Sequence, residues 1–202
     1  EAPVITSSAT FSAAENQTAI GTVTATDADG DAVIYSISGT DANSISINSS
    51  SGVISFATAP DYETTTSYAL TATASDGINS INQSITINIS DLNDNSPVFT
   101  SSATFSAAEN QTSIGTVTAT DADATDSITF SVSGTEFSIT SAGVLTFASA
   151  PDYETTTSLS ATVTATDGTN ATTQDVTVSV TDVNDNAPVF TSSETFSVAE
   201  NQ

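Results

Sequence analysis

The stretch DLNDNSPVF at 91–99 returns as DVNDNAPVF at 182–190, 91 residues further along the chain. Each copy places two aspartates and two asparagines on a short irregular run, then a proline, then an apolar pair. Immediately before each copy the sequence alternates with period two: Ile85, Ile87 and Ile89 in the first, Val176, Val178 and Val180 in the second. Earlier still, Tyr68, Leu70, Ala72 and Ala74 alternate likewise, matched by Leu159, Ala161, Val163 and Ala165. Thr, Val and Ile dominate these runs, and Asp-Gly, Asn and Pro punctuate them, which is how half-buried strands and their turns read.

The repetition extends across the chain. SATFSAAENQTAIGTVTATDAD at 8–29 recurs at 102–123 with one change, Ser113 standing where the first copy has Ala19. PDYETTTS at 60–67 recurs at 151–158, and Asp76-Gly77 recurs as Asp167-Gly168. PVFTSSETFSVAENQ at 188–202 repeats PVFTSSATFSAAENQ at 97–111. The expected organisation is therefore one repeat over 1–95, a second over 96–186, and over 187–202 the first strand of a third. About seven short strands per repeat, with no long amphipathic helix, predict an all-β chain of antiparallel sandwiches. The chain begins and stops in mid-pattern, as an excised fragment would.

Composition removes several functions. The 202 residues contain no Lys, Arg or His against 24 Asp and Glu, a net charge of −24. Phosphate recognition depends on cationic side chains, so nucleic acid is excluded as a partner, and docking on anionic membranes is disfavoured for the same reason. No segment approaches the ~20 apolar residues of a membrane helix. Without Cys there is no disulfide framework or thiol nucleophile, and without His or Lys the commonest general bases are gone. The chain does not read as an enzyme. Self-repulsion of this size opposes a compact state unless a cation offsets it.

The carboxylates gather in motifs at the edges of the expected strands. In the first repeat these are Glu15 of AEN, Asp27 and Asp29 of DAD, Asp61 and Glu63 of DYE, Asp76 of DG, and DLNDN. Every motif recurs, as Glu109, Asp121 and Asp123, Asp152 and Glu154, Asp167, and DVNDN. Clustered like charges are unfavourable unless a cation is shared. Carboxylate, amide and carbonyl oxygens suit calcium, which takes about 6–8 hard ligands in irregular geometry.

With AEN, DAD, DYE, DG and DxNDNxPxF in this order, and the last motif present twice, the chain resembles the cadherin repeat family over essentially its whole length. The resemblance implies seven-stranded Greek-key, immunoglobulin-like sandwiches with about three calcium ions at each linker between repeats. It implies an outer ion held by Glu15, Asp61, Glu63 and Asp94. A middle ion would share Glu15, Glu63 and Asp94 and add the Leu92 carbonyl and Asp123. A third would take Asn93, the Asn95 carbonyl, Asp121, Asp123 and Asp167. Seven carboxylates then face three dications, close to neutrality. A further backbone ligand is implied near Thr125 or Asp126. At the C-terminal linker the same logic selects Glu109, Asp152, Glu154, Asn184, Asp185 and Asn186. Asp27, Asp29 and Asp76 form the half-site that a preceding repeat would complete, and Asp31 lies outside the assigned sites. Tyr62 replaces the more usual Arg of DRE, at a position that is not a side-chain ligand in the family. The lack of Trp excludes adhesion by tryptophan exchange, so the fragment is expected to be monomeric.

An EF-hand-like reading of DADGD at 27–31 fails on spacing, because the second copy reads DADATD and no terminal Glu follows at the required distance. A glycosidase pair fails because the same carboxylates recur in each repeat with no aromatic cleft in evidence. The Thr-rich runs read as solvent faces of strands, and Asn-x-Ser/Thr sequons at Asn16, Asn48, Asn82, Asn88, Asn110 and Asn170 matter only in a glycosylating host. The reading that survives is a calcium-binding spacer of an extracellular, secreted or cell-surface adhesin. Neighbouring repeats would be its partners, and any distal cell-surface or polysaccharide ligand would be met through other domains. Its Ser/Thr/Ala/Asp-rich composition suggests a bacterial source. The alternative is a calcium-dependent carbohydrate-binding module, which needs exposed aromatic residues.

Overall fold

The computed structural model describes residues 1–123 and 127–200. Among these the first repeat runs β1 (Val4–Ile5), β2 (Thr10–Ala14), β3 (Ala19–Thr22), β4 (Ala25–Thr26), β5 (Ile34–Ser38), β6 (Ile45–Ile47), β7 (Val53–Phe56), β8 (Ser67–Ser75) and β9 (Ser80–Ser90). The second runs β10 (Val98–Phe99), β11 (Thr104–Ala108), β12 (Ser113–Thr116), β13 (Ala119–Thr120), β14 (Thr129–Val132), β15 (Phe137–Ile139), β16 (Val144–Phe147), β17 (Ser158–Thr166) and β18 (Ala171–Thr181). A single 3-10 turn, Ala42–Ser44, is the one helical element among the described residues.

Each repeat builds a four-stranded sheet (β2-β9-β8-β5, then β11-β18-β17-β14) and a three-stranded one (β3-β7-β6, then β12-β16-β15). Ile45, Ile54 and Phe56 of the smaller sheet form one core with Leu70, Ala72, Ile85 and Ile87 of the larger. The second core joins Phe137, Leu145 and Phe147 to Val163, Val176 and Val178. The alternation along β9 and β18 decides this packing. Ile85, Ile87, Ile89, Val176, Val178 and Val180 are all buried, while the residues between them face out. That period-two burial is what a sandwich strand requires.

Two features depart from a plain antiparallel sandwich of seven strands. The first strand position is split: β1 pairs antiparallel with β4, then the chain crosses and β2 pairs with β9. The second position is likewise broken into β3 and β4. Nine segments therefore occupy seven positions. The other departure is that β2 and β9 run parallel, with Ala14 opposite Ser90, as do β11 and β18, with Ala108 opposite Thr181. An odd number of strand positions sends the first and last strands the same way, so the chain enters a sandwich at one end and leaves at the other. This puts AEN, at the end of β2, beside DLNDN, at the end of β9. The Asp76-Gly77 turn of the β8–β9 hairpin lies at the opposite end, as does DAD after β4.

The proline of the quoted motif is an anchor. Pro97 is fully buried, as is its counterpart Pro3, and Phe99 packs on the second core. The backbone divides into two compact units. One contains 1–98 with the described residues of 120–128 and 166–172; the other contains 99–119, 129–165 and 173–200. The DAD loop and the Asp167-Gly168 turn, which belong to the second repeat in sequence, thus belong to the first unit in space.

Candidate metal centre

Glu15 is the hub of the first site. It sits one residue past the Ala14–Ser90 pair, 3% exposed, and its two carboxylate oxygens accept the N–H groups of Tyr62 (2.8 Å) and Leu92 (2.7 Å). One side chain thereby holds the DYE loop and the DLNDN linker together. The Asn16 N–H adds a bond to the Pro60 carbonyl at 3.0 Å, and the Asn16 amide donates to Asp94. Tyr62 lays its ring against the core, which explains why an aromatic residue serves there.

Carboxylate oxygens of Glu15, Glu63 and Asp91 come within 4.8 Å of one another, and so do those of Glu63, Asp94 and Asp123. Glu63 belongs to both groups. Burial pushes the Glu63 carboxyl above its ordinary value; its own N–H pulls the other way, and Asp61 and the charge of Glu15 raise it further. Asp61 thus lies against Glu63, and its Oδ1 accepts the Glu63 N–H at 3.1 Å. Asp91 is the residue missed by sequence reasoning. Its place follows from the strand register that the structure reveals: Ala14 pairs with Ser90, so the next residues, Glu15 and Asp91, are neighbours.

The remaining residues of this unit assemble beside that cluster. Asp123, 4% exposed, accepts from the Asn95 N–H at 3.0 Å and from the Asn95 amide at 2.8 Å. Its own N–H donates to Asp121 Oδ1 at 3.1 Å. Asn93 Oδ1 accepts from the Asn170 amide at 2.8 Å. Desolvation pushes the Asp167 carboxyl up, but the N–H groups of Asn170 and Thr169, with the side chains of Asn93 and Asn170, outweigh it and hold the group below the usual range. Asp121 Oδ2 and Asp167 Oδ2 are buried without a hydrogen-bond partner. The backbone ligand expected near Thr125 or Asp126 lies outside the described residues.

Two further clusters repeat parts of this pattern. In the second unit Glu109, again 3% exposed, accepts from Tyr153 and Val183 N–H groups, both at 2.8 Å, and groups with Asp152 and Glu154 within 4.8 Å. A shared hydrogen bond with Asp152 is the largest influence raising the Glu154 carboxyl, followed by an opposing bond from its own N–H. Asp185 accepts from the amides of Asn110 (2.6 Å) and Asn186 (2.9 Å), while Asn184 is exposed. In the first unit Asp27, Asp29 and Asp31 group within 4.8 Å, so Asp31 joins the pair from which sequence reasoning left it out. Asp29 is exposed and pairs with the Glu1 amino group, whereas its sequence counterpart Asp123 is covered by Asn95. Asp76 accepts N–H groups from Asn79 and Ile78, which lower its carboxyl below the ordinary range.

Calcium fits this donor set. A buried charge is paired, hydrogen-bonded or bound to a metal, and a chain without Lys, Arg or His has no side-chain cation to supply. All the convergent donors are hard oxygens, and soft ligands are absent from the sequence.

Tandem sandwiches with acidic motifs gathered at their ends define a class of repeat module, and comparison with known proteins gives the class its name. The chain belongs to the cadherin family: the cadherin domain model matches residues 9–90 and 102–181. Among its relatives are the Drosophila melanogaster protocadherin-like wing polarity protein stan, 38% identical over 199 residues, and human protocadherin Fat 4, 37% identical over 198. These alignments cover 87% and 90% of this chain but only 6% and 4% of the relatives. In fold it is similar to human protocadherin-24 EC1-2 (TM-score 0.78, 21% identity, covering 90% of this chain and 98% of that one). Mouse cadherin-23 EC22-24 is alike to the same degree (TM-score 0.78, 24% identity, 91% and 68%). These relatives are animal proteins, so they lend no support to the bacterial source that composition suggested.

Proposed function

We propose that the chain is a calcium-binding spacer of an extracellular adhesion protein, with a structural and not a catalytic role. The observation that carries this is the buried Asp123 carboxylate, with partnerless buried oxygens on Asp121 and Asp167 of the same unit, in a chain with no cationic side chain. Glu15, Asp61, Glu63, Asp91, Asp94 and the Leu92 carbonyl would hold ions on one side of the cluster. Asn93, the Asn95 carbonyl, Asp121, Asp123 and Asp167 would hold an ion on the other. Bound calcium supplies positive charge that cancels the mutual repulsion of these groups and fixes their loops. Since the donors come from both sequence repeats, 1–95 and 96–186, binding ties the repeats together and stiffens the linker.

Within the 202-residue chain the site near Glu109, Asp152, Glu154 and Asp185 has no DAD or DG loop of a further repeat, and 187–200, where the sequence predicts the opening strand of a third repeat, forms no strand. That near Asp27, Asp29, Asp31 and Asp76 lacks a preceding DxNDN. Three ions at the first linker, at most two near Glu154 and at most one weak ion near Asp27 are expected. Affinity belongs in the extracellular-module range, about 10⁻⁴ to 10⁻³ M, or tighter with cooperativity. Calorimetric calcium titration tests the reading. Saturable binding that Asp121→Asn and Asp167→Asn weaken supports it; no binding at millimolar calcium refutes it.

The aromatic side chains bear on the carbohydrate alternative. Within the described sandwiches every Tyr and Phe is buried or half-buried, and the exposed Phe190 and Phe196 lie past the last strand. Among the described residues neither sandwich presents a fully exposed aromatic ring, which favours the spacer reading.

A further inference from the structure

The third residue of AEN does more than continue the chain. Asn16 and Asn110 are the two non-glycine residues with positive φ among those described, at 60° and 62°. That left-handed conformation is tolerated by Asn better than by most residues, but glycine adopts it more easily still. Backbone conformation alone therefore does not account for asparagine. The side chain does: Asn16 donates its amide to Asp94 Oδ2, and Asn110 donates to Asp185 Oδ2 at 2.6 Å. The backbone N–H of each residue meanwhile binds the carbonyl of the proline before DYE, Pro60 or Pro151, at 3.0 Å. In a chain without Lys, Arg or His, side-chain amides and hydroxyls are the side-chain donors left to aim a carboxylate.

We infer that Asn16 and Asn110 are positioning residues for the calcium sites, acting through Asp94 and Asp185. Each amide holds Oδ2 of its aspartate while the amide of the residue after that aspartate, Asn95 or Asn186, holds Oδ1 at 3.0 or 2.9 Å, so the carboxylate's rotation is fixed from both sides. The left-handed backbone aims the amide, and the proline carbonyl fixes the backbone. This inference rests on the calcium reading for its consequence, but the hydrogen bond it invokes exists without the ion.

Asn16→Gly separates the two roles, since glycine keeps the conformation and loses the amide. In the 202-residue chain this variant is expected to weaken calcium binding at the first site about tenfold, the usual cost of losing a partner behind a metal ligand. Its melting in chelator should barely move. In an Asp94→Ala background, titrated to millimolar calcium, adding Asn16→Gly is expected to change affinity less than about twofold, because the partner through which it acts is gone. Asn110→Gly with Asp185→Ala repeats the cycle at the second site. Wild-type affinity in Asn16→Gly, or equal losses in both backgrounds, overturns the inference. Failure of the wild-type chain to bind calcium refutes the functional reading instead. The latch is then judged in calcium-free buffer by NMR: Asp94→Ala should displace the Asn16 side-chain amide resonance, and an unmoved resonance overturns it.

Discussion

Replacing Glu15 with alanine should destabilise the first sandwich even when no calcium is present. The carboxylate is 3% exposed and closes two hydrogen bonds, at 2.8 Å to the Tyr62 N–H and 2.7 Å to the Leu92 N–H. Hydrogen bonds to a charged group contribute about 1.5–3 kcal/mol each, and water can reach the Leu92 side once the acceptor is gone, so a net loss of about 3 kcal/mol is expected. For a sandwich of this size that corresponds to a fall in melting temperature of about 12 °C or more. Glu63→Ala is the contrasting variant. The Glu63 residue is exposed, and its carboxyl is raised by partial desolvation and by its acidic neighbours, so its removal in chelator relieves repulsion without opening a brace. Thermal unfolding in chelator, followed by circular dichroism, compares the two, with the intact Glu109 sandwich as internal reference. A Glu15→Ala chain melting within about 2 °C of wild type, or a Glu63→Ala chain falling as far, would refute the reasoning.

Glu63→Ala should weaken calcium binding more than Asp31→Ala, which removes an equal charge from the separate group with Asp27 and Asp29; equal losses by calorimetry would contradict the assignment. In chelator, the raised carboxyls of Glu63 and Glu154 bind protons more tightly folded than unfolded, so their contribution to stability falls as pH rises from the ordinary glutamate range through the raised values. Calcium should reverse that trend, and Glu63→Gln with Glu154→Gln should flatten it in melting curves across mildly acidic pH. Asp76 and Asp167 act oppositely: their lowered carboxyls stabilise above the ordinary aspartate range, and that contribution is lost as pH falls through the lowered values. Gly52→Ala and Gly143→Ala should each prevent stable folding of their sandwich. A Cβ there would lie 2.0 Å from the Val23 carbonyl oxygen or 2.1 Å from that of Val117, at a φ of 70° or 86°. Gly77→Ala, with nothing within 4 Å, should cost only the left-handed strain, about 1–2 kcal/mol by denaturant titration.

Much of this architecture was legible because the motifs and the alternation report the same thing from two directions. Ile85, Ile87 and Ile89 announce a strand with one buried face, and the DLNDN after them announces where that strand ends. The duplicated copy removes chance from both. The split of the first strand between sheets was not legible, because Thr6–Ala9 carries no apolar pattern to mark a crossing. Its consequence, a parallel pair, concealed Asp91 as a neighbour of Glu15. The burial of Asp123 was equally hidden. Asp29 has the same residues before it and stays exposed, whereas Asn95 covers Asp123. Asp31 shows the converse limit: a turn closed on Asp27 Oδ1, which accepts N–H groups from Asp29 and Asp31, gathers three carboxylates that spacing alone had separated.

Calcium is expected to turn this tandem from a hinged pair into a stiff one, which small-angle scattering can detect. In chelator, the 202-residue chain should scatter as a broad distribution of particle dimensions. Calcium at several millimolar should narrow that distribution and extend its maximum dimension, and the change should be lost in the Glu63→Ala and Asp123→Ala variants. An unchanged distribution and maximum dimension on calcium addition, with binding shown saturated in the same sample, would contradict the claim.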